Sequence, residues 1–66
     1  MCEVGEVFTG FCEGFFGRDS YGDKRVEAYG ADWIVCREID NNIVLIATFD
    51  SREEKDAAVE RWRKTQ

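Results

Sequence analysis

The sequence predicts an α+β fold: a three-stranded antiparallel meander with a C-terminal helix and an N-terminal helix. Three observations carry this. A capped, charge-ordered helical segment stands at residues 51–64, three β-branched runs separated by turn residues precede it, and an apolar stripe at helical spacing opens the chain. With 66 residues the chain makes a single α+β domain over 1–66. A chain this short buries only about 60% of the surface its unfolded form exposes, so every core residue counts. Five Phe, two Trp and two Tyr, with 44% apolar residues and no Pro, argue for a packed core and against disorder.

The C-terminal helix is the clearest element. Ser51 and Glu54 have the spacing of a capping box, with Asp50 as a rival cap one residue earlier. Acids Glu53, Glu54 and Asp56 open the segment, and Arg61, Arg63 and Lys64 close it, an order that complements the helix dipole. Ala58, Val59 and Trp62 share one face, and Lys55 adds its stem. Glu60 and Lys64 are spaced as an i,i+4 pair.

Before the helix come three strands. Residues 42–49 (NIVLIATF) are nearly continuous in apolar character. That suits a central strand covered on both faces, or one with a buried and a protected face. Residues 32–38 alternate Trp33, Val35 and Arg37 against Ile34 and Cys36. Asp40, Asn41 and Asn42 between these runs tolerate left-handed turn geometry, which predicts a hairpin. Residues 25–29 alternate Val26 and Ala28 against Glu27 and Tyr29, and Gly30 turns the chain into the next strand. Trp33, Ile34, Val35, Ile43, Leu45, Ile46, Phe49, Val59 and Trp62 are the expected core.

The N-terminal segment reads two ways. Val4, Val7, Phe8, Phe11, Cys12, Phe15 and Phe16 follow helical spacing, which predicts a helix over about 3–13 ending at Gly14 or Gly17. Gly5, Gly10 and Gly14 oppose it, each costing about 1 kcal/mol inside a helix. The alternative is a fourth strand there, giving ββββα.

The chemistry is narrow. There is no His, which removes Ser-His and Cys-His activation and most catalytic zinc sites. Cys2, Cys12 and Cys36 include no CxxC pair, so no metal site and no cofactor are expected. Cys12 and Cys36 read as buried structural thiols and Cys2 as exposed. Asp19 and Asp23 share a loop, where aspartates form turns far more often than they do acid–base work. Gly14 to Gly17 lack the spacing of a phosphate-binding loop. The chain therefore reads as a non-enzyme.

A net charge of −5 weighs against DNA, RNA and anionic membranes as partners. Residues 1–50 hold ten acids and four bases, and residues 51–66 hold four acids and five bases, so the acidity lies on the body of the domain. No basic segment followed by an apolar stretch marks a leader, and no apolar run approaches a membrane span, so a cytoplasmic location with reduced thiols is expected.

One segment is dense in recognition side chains. Residues 14–25 (GFFGRDSYGDKR) combine aromatics and cations between glycines. Phe16, Arg18, Asp19, Tyr21, Lys24 and Arg25 are the candidate binding residues, because aromatics and arginine dominate interface hot spots. The plain alternative is that the phenylalanines plug the core while the glycines make turns. Two further readings are a nucleic-acid binder, with bases stacked on Tyr21 or Phe16, and a structural subunit that dimerises to cover the sheet's other face.

Within residues 10–37, Phe15-Phe16-Gly17-Arg18-Asp19-Ser20-Tyr21-Gly22, Lys24-Arg25-Val26-Glu27 and Trp33-Ile34-Val35 carry a resemblance. The run is similar to a segment of small uncharacterised proteins encoded by phages of actinobacteria. The resemblance implies a source in the cytoplasm of a phage host and a style of function, binding a host or phage protein without catalysis.

Overall fold

A computed structural model describes residues 2–18 and 20–65. Strands β1 (Val7–Phe8), β2 (Lys24–Tyr29), β3 (Trp33–Glu38) and β4 (Val44–Thr48) form one antiparallel sheet in the order 1-2-3-4, and helix α1 (Arg52–Lys64) follows. A 3-10 turn at Cys12–Gly14 lies between β1 and β2. The fold is thus ββββα, the alternative of the two expected arrangements.

The N-terminal helix does not form. Gly5, Gly10, Gly14 and Gly17 all hold positive φ, and Cys12 and Glu13 also enter the left-handed region at φ +50° and +56°. Those reversals fold the stripe into turns. Phe8, Cys12 and Phe16 still reach the core, while Val4, Val7 and Phe11 face out. Short β1 is fixed to β2 by its own ladder and by the Gly5 and Val26 amides, which donate to Val26 and Glu6 carbonyls at 2.8 Å each.

Helix α1 starts where its cap predicts. Ser51 is extended, and its hydroxyl accepts from the Glu54 amide at 3.1 Å. The helix covers one face of the sheet with Ala58, Val59 and Trp62, and with Lys55, whose ammonium donates to the Gly30 carbonyl at 2.9 Å. In place of a Glu60–Lys64 pair, Arg63 faces Glu60 at 4.0 Å. Trp62 is the hub of the core. Its ring lies 5.3 to 6.0 Å from those of Phe8, Phe15, Phe16 and Phe49.

Strand parity divides the sheet. Ile34, Cys36, Ala47 and Val26 point to the helix and are buried, with Leu45 partly so. The opposite face carries Trp33, Val35, Val44 and Ile46 and is open; Ile46 is 60% exposed. A single 13-residue helix covers one face only, so four residues expected in the core (Trp33, Ile43, Ile46 and, in part, Val35) lie outside it. For the same reason β4 is an edge strand with one buried face. The sequence pattern of a buried central strand arises here from β-branched residues on an open face. A bulge between Val26 and Ala28 shifts the pairing, so Ala28 stands opposite Val35 and Tyr29 opposite Ile34. Tyr29 thereby turns to the helix side, its ring 5.4 Å from the Lys55 ammonium.

Among the described residues no helix is long and apolar enough to cross a membrane.

Candidate interaction surface

The loop after the 3-10 turn is held by one lysine. Lys24 begins β2 with its side chain pointing inward, and it is fully buried. Its ammonium donates to the carbonyls of Gly10, Ser20 and Gly22, at 2.5, 3.1 and 2.6 Å, and sits 5.9 Å from the Phe16 ring centre. A buried cation is tolerable only where its donors are all answered, and three carbonyls do so here. The clasp joins two separate stretches of loop. The Ile39 amide donates to the Asp23 carbonyl at 2.9 Å and ties the loop to the end of β3.

This arrangement splits the candidate binding residues. Lys24 is taken up by the core and offers nothing outward, and Phe16 is buried apart from an edge that lines a groove. Arg25 projects from the open face of the sheet, where it reaches Glu27 at 3.3 Å; Glu27 also accepts from Arg37 at 3.0 Å. These two arginines hold the Glu27 carboxyl below its usual range, Arg37 more than Arg25. Arg18 and Tyr21 remain at the loop surface. Tyr21 is 63% exposed and stacks on Phe11 at 4.8 Å between ring centres. Arg18 is exposed and makes no hydrogen bond or ion pair with another described residue. Asp19, and with it the Asp19–Asp23 pair, lies outside the described residues.

Between this loop and the β3–β4 turn runs an open groove of ≈ 350 Å³. Phe16 and Leu45 form its apolar floor, Ile43 and Asn41 one wall, and Arg18 and Ser20 the other. Asn41 donates to Glu38 at 3.2 Å and accepts from the Ile43 amide at 3.0 Å, which fixes the turn. Asn42 takes the left-handed conformation at φ +61° that the Asp-Asn-Asn run predicts. The Ser20 side chain is buried at this wall, and its hydroxyl has no hydrogen-bond partner among the described residues.

A larger cleft of ≈ 550 Å³ lies between the 3-10 turn and the end of α1, bounded by Thr9, Phe11, Cys12, Glu13, Arg61 and Trp62. Its polar groups answer one another. Glu13 accepts from Arg61 at 2.9 to 3.2 Å and from the Trp62 indole at 2.7 Å. The Cys12 thiol donates to the Thr9 carbonyl at 3.9 Å, and burial pushes its pKa up.

The other thiols are equally closed to nucleophilic work. Burial raises Cys2, and it lifts Cys36 to about 12, helped by the neighbouring Cys12 and Cys2. Cys2, expected at the surface, is fully buried in the core cluster with Cys12 and Cys36. Among the described residues no three potential metal ligands cluster.

One feature was beyond sequence reasoning: the groove, whose walls come from segments about twenty residues apart. The open sheet face was expected, since three or four strands with one amphipathic helix leave one face uncovered. Comparison with protein-family models, with curated proteins and with solved structures gives no match to this chain.

Proposed function

We propose that this chain is a non-catalytic protein-interaction module that receives a partner protein at the groove lined by Phe16, Arg18, Ser20, Asn41, Ile43 and Leu45. The observation that carries it is the juxtaposition of exposed Arg18, without a partner among the described residues, with exposed Ile43 across an apolar-floored groove. An exposed cation beside apolar surface is what a partner's side chains complete. Tyr21 on the loop and Ile43, 54% exposed, extend the contact area with residue types that anchor interfaces. The matching partner presents an acidic group for Arg18 and an apolar side chain for the floor. The resemblance to phage-encoded proteins fits a host protein in that role.

The nucleic-acid alternative draws less support. Of the three cations in residues 15–25, Lys24 is buried and Arg25 lies on the open sheet face, so Arg18 stands alone beside Tyr21. A chain of net charge −5 with one free loop cation cannot neutralise a run of phosphates.

Affinity capture with immobilised chain from extract of the native host tests the proposal. The parent should retain a specific protein, and Arg18→Ala, Tyr21→Ala and Ile43→Ser should each weaken its capture by about tenfold or more. Variants that fold and bind like the parent rule out this groove. Titration with single-stranded oligonucleotides at low and high salt should give no salt-dependent signal, and a signal would favour the nucleic-acid reading instead.

A further inference from the structure

Strand β4 has a second property, independent of the groove. It lies at the edge of the sheet, and its register with β3 settles which of its backbone groups are used. Ile34 faces Ala47 and Cys36 faces Leu45. The Glu38 amide donates to the Ile43 carbonyl, and the Phe49 amide to the Asp32 carbonyl, both at 2.8 Å. The odd-numbered residues of β4 therefore direct their N–H and C=O groups to β3. By alternation, Val44, Ile46 and Thr48 direct theirs away from the sheet. These same three residues put their side chains on the open face and are exposed.

Proteins normally guard such an edge with a charge, a proline, a bulge or a covering segment. β4 reads VLIAT and has none of the first three, and no described residue hydrogen-bonds its outer side. The opposite edge is protected by brevity, since β1 is two residues long.

We propose that β4 pairs antiparallel with β4 of a second copy of this chain, about a two-fold axis at Ile46, to make a continuous eight-stranded sheet. The choice of occupant rests on self-complementarity. In this register Ile46 opposes Ile46 of the second copy and Val44 opposes its Thr48, β-branched pairs that suit cross-strand contact. No like charges meet, although each chain carries −5. A register displaced by one residue would turn the side chains of one copy to the wrong face. The pairing also merges the two open faces into one apolar row, Val35–Ile46 continuing into Ile46–Val35. Arg25, Glu27 and Arg37 are set back from the axis on β2 and β3. An isologous contact of this kind closes on itself. One strand edge with flanking side chains is a small interface, so the dimer forms at high protein concentration.

Sedimentation and per-residue amide exchange, each compared between about 20 µM and about 1 mM, test it against the usual range of weak interfaces. The mass should rise from 7.6 kDa toward twice that value. Exchange at the Val44, Ile46 and Thr48 amides should slow with concentration, while Leu45 and Ala47 stay protected throughout. Ile46→Lys and Thr48→Lys, both at exposed positions, should keep the fold by circular dichroism and hold the chain monomeric. A monomer at 1 mM overturns the proposal. So does a dimer whose even-numbered β4 amides do not change, which would mean face-to-face packing, and so does a dimer that survives both lysines.

Discussion

The indole N–H of Trp62 donates to the Glu13 carboxylate at 2.7 Å, joining the last turns of α1 to the left-handed residue of the 3-10 turn 49 positions earlier. Sequence-distant segments are thus fastened at the same residue that organises the aromatic core. Trp62→Phe keeps most of the ring and removes the donor. It should cost about 2–3 kcal/mol in urea denaturation, one hydrogen bond to a charged group plus the space the smaller ring leaves. Trp62→Ala removes the hub and should cost about 3–5 kcal/mol, enough to unfold much of a domain this size. A double-mutant cycle of Trp62→Phe with Glu13→Ala should return the hydrogen-bond share of the first value as coupling.

Lys24 gives a second test. Lys24→Met preserves much of the stem's packing and leaves the Gly10, Ser20 and Gly22 carbonyls without their donor. A loss of about 3 kcal/mol is expected by thermal or chemical melting. Amide exchange in residues 17–23 should accelerate more than in β3. Uniform acceleration would show that Lys24 supports the core and not the loop.

Glu6 and Arg63 set an acid limb. Arg63 donates to both Glu6 oxygens, at 2.6 and 2.8 Å, and lowers the Glu6 pKa, while the guanidinium is raised in turn. A carboxyl depressed in the folded state adds stability that is fully present above its unfolded value of about 4.3. That stability is lost as pH falls through the lower folded value. The pair is partly exposed, so its worth is under about 1 kcal/mol. Melting curves from pH 7 down to about 2.5 should fall less steeply for Glu6→Gln than for the parent.

The cysteines predict an inert native state. All three are buried with raised pKa values, and Cys36 reaches about 12. At pH 8 a thiol reagent should label none of them on the timescale that labels free cysteine, and all three in denaturant. Fast labelling of one thiol in the folded chain would reveal local opening around it.

Much of the fold was legible because local chemistry and tertiary structure agree. The Ser51 cap, the acid-to-base order of α1 and the Asp40-Asn41-Asn42 turn each act through neighbours in sequence, and each appears where expected. The N-terminal segment was not legible for a definite reason. Phe8, Cys12 and Phe16 recur every four residues, as on a helix, yet they reach the core through glycine-governed reversals. Cys2, too, is buried by contacts that no local pattern announces. Lys24 looked like a surface cation because its acceptors are main-chain carbonyls, two of them in the loop before it and one beyond the 3-10 turn. β4 looked central because a β-branched run reads the same on a covered or an uncovered face. Of the candidate recognition residues, Arg18 and Tyr21 were nominated by their types and lie at the surface, whereas the groove beside them depends on the approach of the β3–β4 turn.

The position of Trp62 bears on biosynthesis. Phe8, Phe15, Phe16 and Phe49 emerge from the ribosome long before the ring they surround. A nascent chain therefore exposes four phenylalanines until residue 62 has cleared the exit tunnel. A released chain truncated at residue 58 should be open to protease, and one that includes Trp62 should be protected.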